Sequence, residues 1–220
     1  MTRLSLISCL FVGSLWFVGP AAAQDKPADT AAAGAGTAIS PEDAGKAQQF
    51  IRVKHDKVRE VLRKPDTPKR AEELTTLLGE FLDYDRLTRL SLDKEWDKRS
   101  PRERQQFVDL LQQLVERQYQ RNMESTLQYN VKWVGTEPID TGVKVKSSAR
   151  STKKKRQPPV AIDYSMSPDG EEWKVFDIFT DEVSLVTNYK RQFRRVIKDE
   201  GWNGLINRMQ KKLKAEDDLL

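Results

Sequence analysis

Cysteine and histidine are almost missing from this chain. Its 220 residues contain one cysteine, Cys9, and one histidine, His55. Cys9 lies within an apolar N-terminal run, so everything after that run is free of thiols. Disulfide staples, thiol nucleophiles and cysteine metal sites are thereby excluded, and a single histidine excludes zinc sites built on histidine pairs. A disulfide-free fold must be held by its apolar core, which a chain of this length can supply. His55, in QQFIRVKHDKVREVL, reads as a surface helix position.

Long hydrophobic runs are also scarce. The one present, Leu4 to Val18, is shorter than the roughly 20 apolar residues that span a bilayer. Arg3 precedes it and Ala21-Ala22-Ala23 follow it, so residues 1–23 read as a secretory signal peptide cleaved before Gln24. The LISC that ends at Cys9 lies inside the run rather than after it, so it does not read as a lipoprotein site.

What remains is 38% hydrophobic and 32% charged, the balance of a soluble globular domain. Residues 24–40, QDKPADTAAAGAGTAIS, lack any apolar period and read as a flexible linker. The domain is expected over residues 41–214, with a charged tail over 215–220. Ser40 as N-cap and Pro41 in the first turn open a helix carrying Phe50, Val53, Val58, Val61 and Leu62. Further helices are predicted through KRAEELTTLLGEFL and DYDRLTRLSL. The clearest helix is SPRERQQFVDLLQQLVERQYQRNM. There Ser100 and Glu103 form a capping box, and Phe107, Leu110, Leu111, Leu114, Val115, Tyr119 and Met123 recur at three and four.

After Met123 the apolar period shortens to two. YNVKWVG, GVKVKSSARS, PVAIDYSM and EEWKVFDIFT are separated by the turn-forming TEPIDTG, KKKRQPP and SPDGEE, which predicts a four-stranded antiparallel meander. Two helices, EVSLVTNYKRQFRRVI and GWNGLINRMQKKL, close an α+β domain. In the last strand, alternation places Trp173, Val175 and Phe179 on one face and Phe176 and Ile178 on the other. Asp177 interrupts the first face, either as a buried acid with a raised pKa or, the favoured expectation, at the end of the sheet paired with a basic side chain. The apolar face of the sheet, backed by helices, encloses either a filled core or an apolar pocket. The pattern alone does not separate the two.

The net charge is +5, and seven cations fall between Thr141 and Val160 with no acid among them. They are Lys144, Lys146, Arg150, Lys153, Lys154, Lys155 and Arg156. Such a patch on a near-neutral body fits a directed contact with an acidic partner or an anionic membrane surface. Its last four residues form the tip between the second and third strands, where a merely solvated hairpin is the alternative. No aromatic residues interleave the basic run, which argues against nucleic acid.

Three blocks, FLDYDRLTRLSLDKEWDKRSPRERQQFVDLLQQLVERQY, EEWKVFDIFTDEVSLVTNYKRQF and GWNGLINRM, occur in an order and spacing that resembles the MlaC family. Its members are the toluene-tolerance type periplasmic components of lipid-transporting ABC systems in Gram-negative bacteria. The resemblance covers residues 42–214 and is most specific at Trp173, Lys174, Val175, Asp177, Val183, Ser184, Leu185, Asn188, Tyr189 and Phe193. Two positions depart from the family pattern: Glu182 stands where a glycine is usual, and Lys190 where arginine commonly follows the Asn-Tyr pair.

The resemblance implies an NTF2-like cone with added helices, enclosing an apolar pocket for phospholipid acyl chains while the headgroup stays in water. It implies a periplasmic carrier between an outer-membrane lipoprotein complex and an inner-membrane ABC transporter, serving outer-membrane lipid asymmetry. Phospholipid is then cargo, with no cofactor, catalytic residue or metal. The expected wall residues are Phe107, Leu111, Leu114, Tyr164, Val175, Phe179, Leu185, Tyr189 and Phe193, with Lys153, Lys154, Lys155 and Arg156 docking to a partner or membrane. Two other readings compete. One is an isomerase-type enzyme of the same cone fold, with Asp177 or Asp163 as base and Tyr164 or Tyr189 as oxyanion donor. The other is a secreted adaptor that holds no ligand.

Overall fold

The computed structural model describes residues 39–154 and 156–217. The expected signal peptide, most of the linker, Lys155, the Met123 side chain and the end of the tail lie outside the described residues.

Three capped helices open the domain. In α1 (Pro41–Leu62) the Ser40 hydroxyl accepts from the Asp43 N–H and Pro41 fills the first turn, as expected. Thr67 caps α2 (Pro68–Phe81) and Asp83 caps α3 (Tyr84–Leu92) in the same way. A short α4 (Lys94–Asp97), which the periodicity does not signal, leads into α5 (Pro101–Thr126). The Ser100–Glu103 capping box at the start of α5 is fully formed.

The sheet then runs β1 (Tyr129–Ile139), β2 (Gly142–Ser151), β3 (Val160–Asp169), β4 (Glu172–Thr180) and β5 (Val183–Ser184), paired antiparallel in chain order. The expected meander is thus present with a fifth strand of two residues, too short to leave an alternating signature. β1 extends further than expected, through Pro138. As an edge strand it tolerates a residue with no N–H. The last element, α6 (Leu185–Asp217), is broken by backbone turned left-handed at Gly201, φ 73°, which preserves the two helical segments expected there.

Register decides what each face of the sheet carries. Residues opposite one another share a face, so Val143, Val145, Tyr164 and Met166 line up on one side. One extra residue in β4 shifts the register between its partners Ser165 and Met166, so that Val175 pairs with Met166 but Ile178 pairs with Tyr164. Phe176 is the residue left over. Trp173, Val175 and Ile178 therefore share the inner face, while Phe179, opposite Asp163, turns outward. The expectation that Phe179 sits with Trp173 and Val175 is corrected by this bulge. A second bulge leaves Val134 of β1 unpaired and 63% exposed.

The inner face joins the helices in one apolar core. Its densest part is aromatic. The Phe107 ring meets Phe193 edge-on at 5.2 Å, Tyr189 stacks on Phe193 at 5.3 Å, and Trp202 lies 5.4 Å from Phe107, binding α5 to both halves of α6. On the outer face, cations cover the two outward phenylalanines: Arg86 lies 3.6 Å over Phe176 and Lys144 lies 4.1 Å over Phe179.

Asp177 is buried at the junction of sheet and α6. One carboxylate oxygen accepts from the N–H groups of Ile178 and Val186, the other from the Ser184 hydroxyl, so the side chain caps the start of α6. Its partners are backbone and hydroxyl rather than the basic side chain expected. Burial raises its pKa above the ordinary 3.8, and these hydrogen bonds oppose the rise. Lys190 makes a single 3.0 Å contact with Asp93.

The hairpin joining β4 to β5 turns on Asp181 and Glu182, both at positive φ, 47° and 67°. The β4–β5 pairing with two left-handed central residues is the mirror-image turn that suits strand twist. Asp181 tolerates it, and its carboxylate also accepts from the Ala161 N–H. Glu182 has no such aid, and its side chain carries the strain of the left-handed region. Glu182→Gly should therefore raise stability by about 1 kcal/mol, read as a higher urea midpoint at unchanged slope. A lower midpoint would show that Glu182 makes a compensating contact.

Candidate functional site

Between α1, α2 and the inner face of the sheet the packing is incomplete. The apolar stripe of α1 supplies Ile51, His55, Val58 and Arg59, four residues of one helical face. From α2 and its exit come Leu78, Phe81 and Leu82. From α5 come Tyr119 and Thr126, and from the strands Tyr129, Val131, Ala149, Ile162, Tyr164 and Ile178. None of these is a carboxylate. About 60 Å³ of the cleft is enclosed, against about 790 Å³ when the space open to solvent is counted. The described residues therefore do not enclose the lipid-sized pocket expected from the sequence.

The cleft has a floor and a rim. Ile51, Val58, Leu78, Ala149, Ile162, Tyr164 and Ile178 are buried, whereas His55, Arg59, Thr126, Tyr129 and Val131 are half-buried. The rim lies where α1 crosses the junction of α5 and β1. Arg59 holds that crossing: its Nη1 donates to the carbonyls of Thr126 at 3.2 Å and Tyr129 at 2.8 Å. One turn earlier, the His55 ring packs edge-on against Trp133 at 5.8 Å. Its Nδ1 lies 3.5 Å from Asp56, outside hydrogen-bond geometry, and has no partner among the described residues. Burial, and then the Arg59 charge, hold the imidazole below its ordinary 6.5, with Asp56 acting weakly against them. Burial also pushes the Tyr119 and Tyr164 phenols above their usual range.

The basic loop adjoins the same rim. The Thr152 N–H and hydroxyl both donate to the Gln128 carbonyl, at 2.8 and 2.9 Å, which ties the root of the loop beside Tyr129. Lys153, Lys154 and Arg156 are exposed beyond it.

Of the wall residues expected from the sequence, Tyr164 lines this cleft. Phe107, Leu111, Leu114, Leu185, Tyr189 and Phe193 are buried in the core instead, each at 5% exposure or less, and Val175 is buried beneath the Leu82 bridge. Phe179 faces outward. The apolar stripes of α5 and α6 are real, but they meet each other and α3, so the cleft is covered by α1 and α2. The signal that could have located it is the α1 stripe, where His55 and Arg59 fall on the apolar face of Ile51 and Val58. His55 is correspondingly a half-buried rim residue rather than a surface one.

The acid and hydroxyl pairs of the isomerase reading are not assembled. Asp163 lies on the outer face opposite Phe179, Asp177 caps α6, and Tyr189 is stacked on Phe193 away from the cleft. Among the described residues no group of acids, histidines or cysteines is placed to hold a metal ion. No described helix is long and apolar enough to cross a membrane.

A depressed histidine pKa makes a testable demand. The unfolded chain binds the His55 proton more tightly than the folded one, so the contribution of neutral His55 is present above pH 6.5 and is lost as pH falls through the lower folded value. Between pH 7 and pH 5, wild type should lose more stability than His55→Phe, measured by urea unfolding at each pH. Parallel losses would mean that the ring titrates as it does in water.

The family model described as MlaC protein matches residues 52–211. Among solved structures, the fold is similar to a phospholipid-binding protein from Ralstonia solanacearum, determined in complex with a phospholipid. The TM-score is 0.68 at 24% identity, covering 78% of this chain and 99% of that one. No curated protein matches. The match to the family model takes in all of the sheet, α2 to α5, the second half of α1 and most of α6, and on that extent the chain belongs to the MlaC family.

Proposed function

We infer that this protein is a phospholipid carrier. It is exported to the periplasm, takes the acyl chains of a phospholipid into the cleft between α1, α2 and the sheet, and carries them between an outer-membrane lipoprotein complex and an inner-membrane ABC transporter. The observation that carries this reading is the cleft itself: an apolar floor without a carboxylate and a half-exposed rim bearing one cation, in a domain of the MlaC family. The similar Ralstonia fold, determined with a phospholipid, supports it.

Transfer energetics explain why such a carrier is required. At about 0.8 kcal/mol per methylene, two chains with about 30 methylenes lose on the order of 24 kcal/mol on entering water, so unassisted transfer through an aqueous compartment is negligible. Sites for drug-sized ligands run from about 300 Å³ upward, several times the enclosed 60 Å³. Loading therefore requires α1 and α2 to swing away from the sheet. The Lys54–Glu80 contact at 2.6 Å ties the two helices to each other. Lys153, Lys154, Lys155 and Arg156 on the loop beside the rim dock the loaded carrier on an acidic partner or anionic membrane surface.

Organic extraction of freshly purified protein followed by mass spectrometry should recover phospholipid near one molecule per chain. Val58→Trp, which fills the floor at a cost of about 1–3 kcal/mol in overpacking, should lose most of it while remaining folded. Asp177→Asn should keep it, because the amide can still accept both backbone N–H groups. Recovery of no lipid from wild type would refute the carrier reading. Replacing Lys153 and Lys154 by glutamate should slow lipid transfer from anionic vesicles at low salt, and the difference should shrink as salt screens the charges.

A further inference from the structure

We propose that Arg59 is a phosphate-recognition residue at the mouth of the cleft, holding the phosphodiester of the cargo while its chains occupy the floor. This rests on the carrier reading and adds to it a point of contact with the headgroup.

Arg59 is the only residue carrying a fixed charge among those lining the cleft. Of the other cations of α1 and its C-terminal end, Lys46, Lys54 and Lys64 contact acids, and Arg52, Lys57 and Arg63, which do not, lie outside the cleft lining. Arg59 contacts no carboxylate among the described residues. Its Nη1 is taken by the Thr126 and Tyr129 carbonyls, and no described residue accepts from Nε or Nη2. Those carbonyls fix the position of the guanidinium without neutralising it. A half-buried cation on an apolar wall, pinned along one edge and open along the other, is matched by an oxyanion that can accept two parallel N–H bonds.

The surroundings point the same way. His55, one turn back on the same face, is kept neutral and so does not compete with Arg59 for an anion. Lys153, Lys154 and Arg156, on the loop anchored at Gln128, add positive potential outside the rim. The interior beneath, from Val58 to Ile162, offers as side-chain hydrogen-bonding groups only the Tyr119 and Tyr164 phenols and is otherwise aliphatic or aromatic. The ligand that fits is anionic at one end and hydrocarbon at the other, with the junction of its two parts at Arg59.

The shared chemistry, a phosphate oxyanion, could come from a lipid or from free phosphate, and the test separates them. Wild type and Arg59→Gln would be titrated with phosphatidylglycerol and with diacylglycerol carrying the same fluorescent chain, each with and without millimolar inorganic phosphate. Wild type should prefer phosphatidylglycerol by about tenfold or more, as expected for a charge-assisted contact. Arg59→Gln should bring the two lipids close to parity by weakening phosphatidylglycerol alone, and inorganic phosphate should displace neither.

Equal binding of both lipids to wild type would overturn the assignment while leaving the carrier reading intact. Binding of neither would remove the carrier reading, and the assignment with it. Displacement of phosphatidylglycerol by inorganic phosphate would overturn the assignment by showing a site for the free ion. If Arg59→Gln proves unfolded, the wild-type lipid preference still decides, together with Arg59→Lys, which keeps the charge and should retain part of that preference.

Discussion

A strand can present only every second side chain to the core, and an added residue reverses that assignment from that point onward. In β4 the added residue is Phe176. Upstream of it Trp173 and Val175 face the helices. Downstream, Ile178 takes over the inner face and Phe179 moves to the outside, under Lys144. Ile178 pairs with Tyr164 on the floor of the cleft, so the floor exists in its present form because of this single insertion. The same shift leaves Asp177 on the side from which it caps α6.

Two parts of the interior follow from this arrangement and differ in character. Around Phe107, Tyr189, Phe193 and Trp202 the rings are in direct contact and the packing is complete. Around Ile51, Val58, Ile162 and Tyr164 it leaves a cleft, and the covering helices add to their buried apolar contacts polar ones at the margins, such as Arg59 on two carbonyls and Lys174 on the Gly79 and Glu80 carbonyls. Compact aromatic packing between α5 and α6 thus stands beside the incompletely filled cleft that α1 and α2 cover.

Much of this architecture is legible in the residues themselves. Ser40, Pro41, Ser100 and Glu103 mark helix starts that the structure reproduces, and the change of period after Met123 marks the start of the meander. The faces of the last strand were not legible, because Phe176 alternates as well as any other residue until its partner strand is known. Most of the expected wall residues lie outside the cleft for a related reason. An apolar stripe records that a helix face is covered, not by what, and the strong stripes of α5 and α6 proved to cover each other. The stripe of α1, carrying a histidine and an arginine among its aliphatic residues, is the one that borders open space.

The free edge of the sheet carries a further implication. β1 exposes one row of backbone donors and acceptors, an invitation to any extended chain that meets it. Here the row is interrupted twice, by the extra residue at Val134 and by Pro138, and Lys132 adds a charge between these and the start of the strand. No uninterrupted ladder of useful length can be added there. The edge is thus protected from the most stubborn of accidental attachments, the merging of one sheet with another.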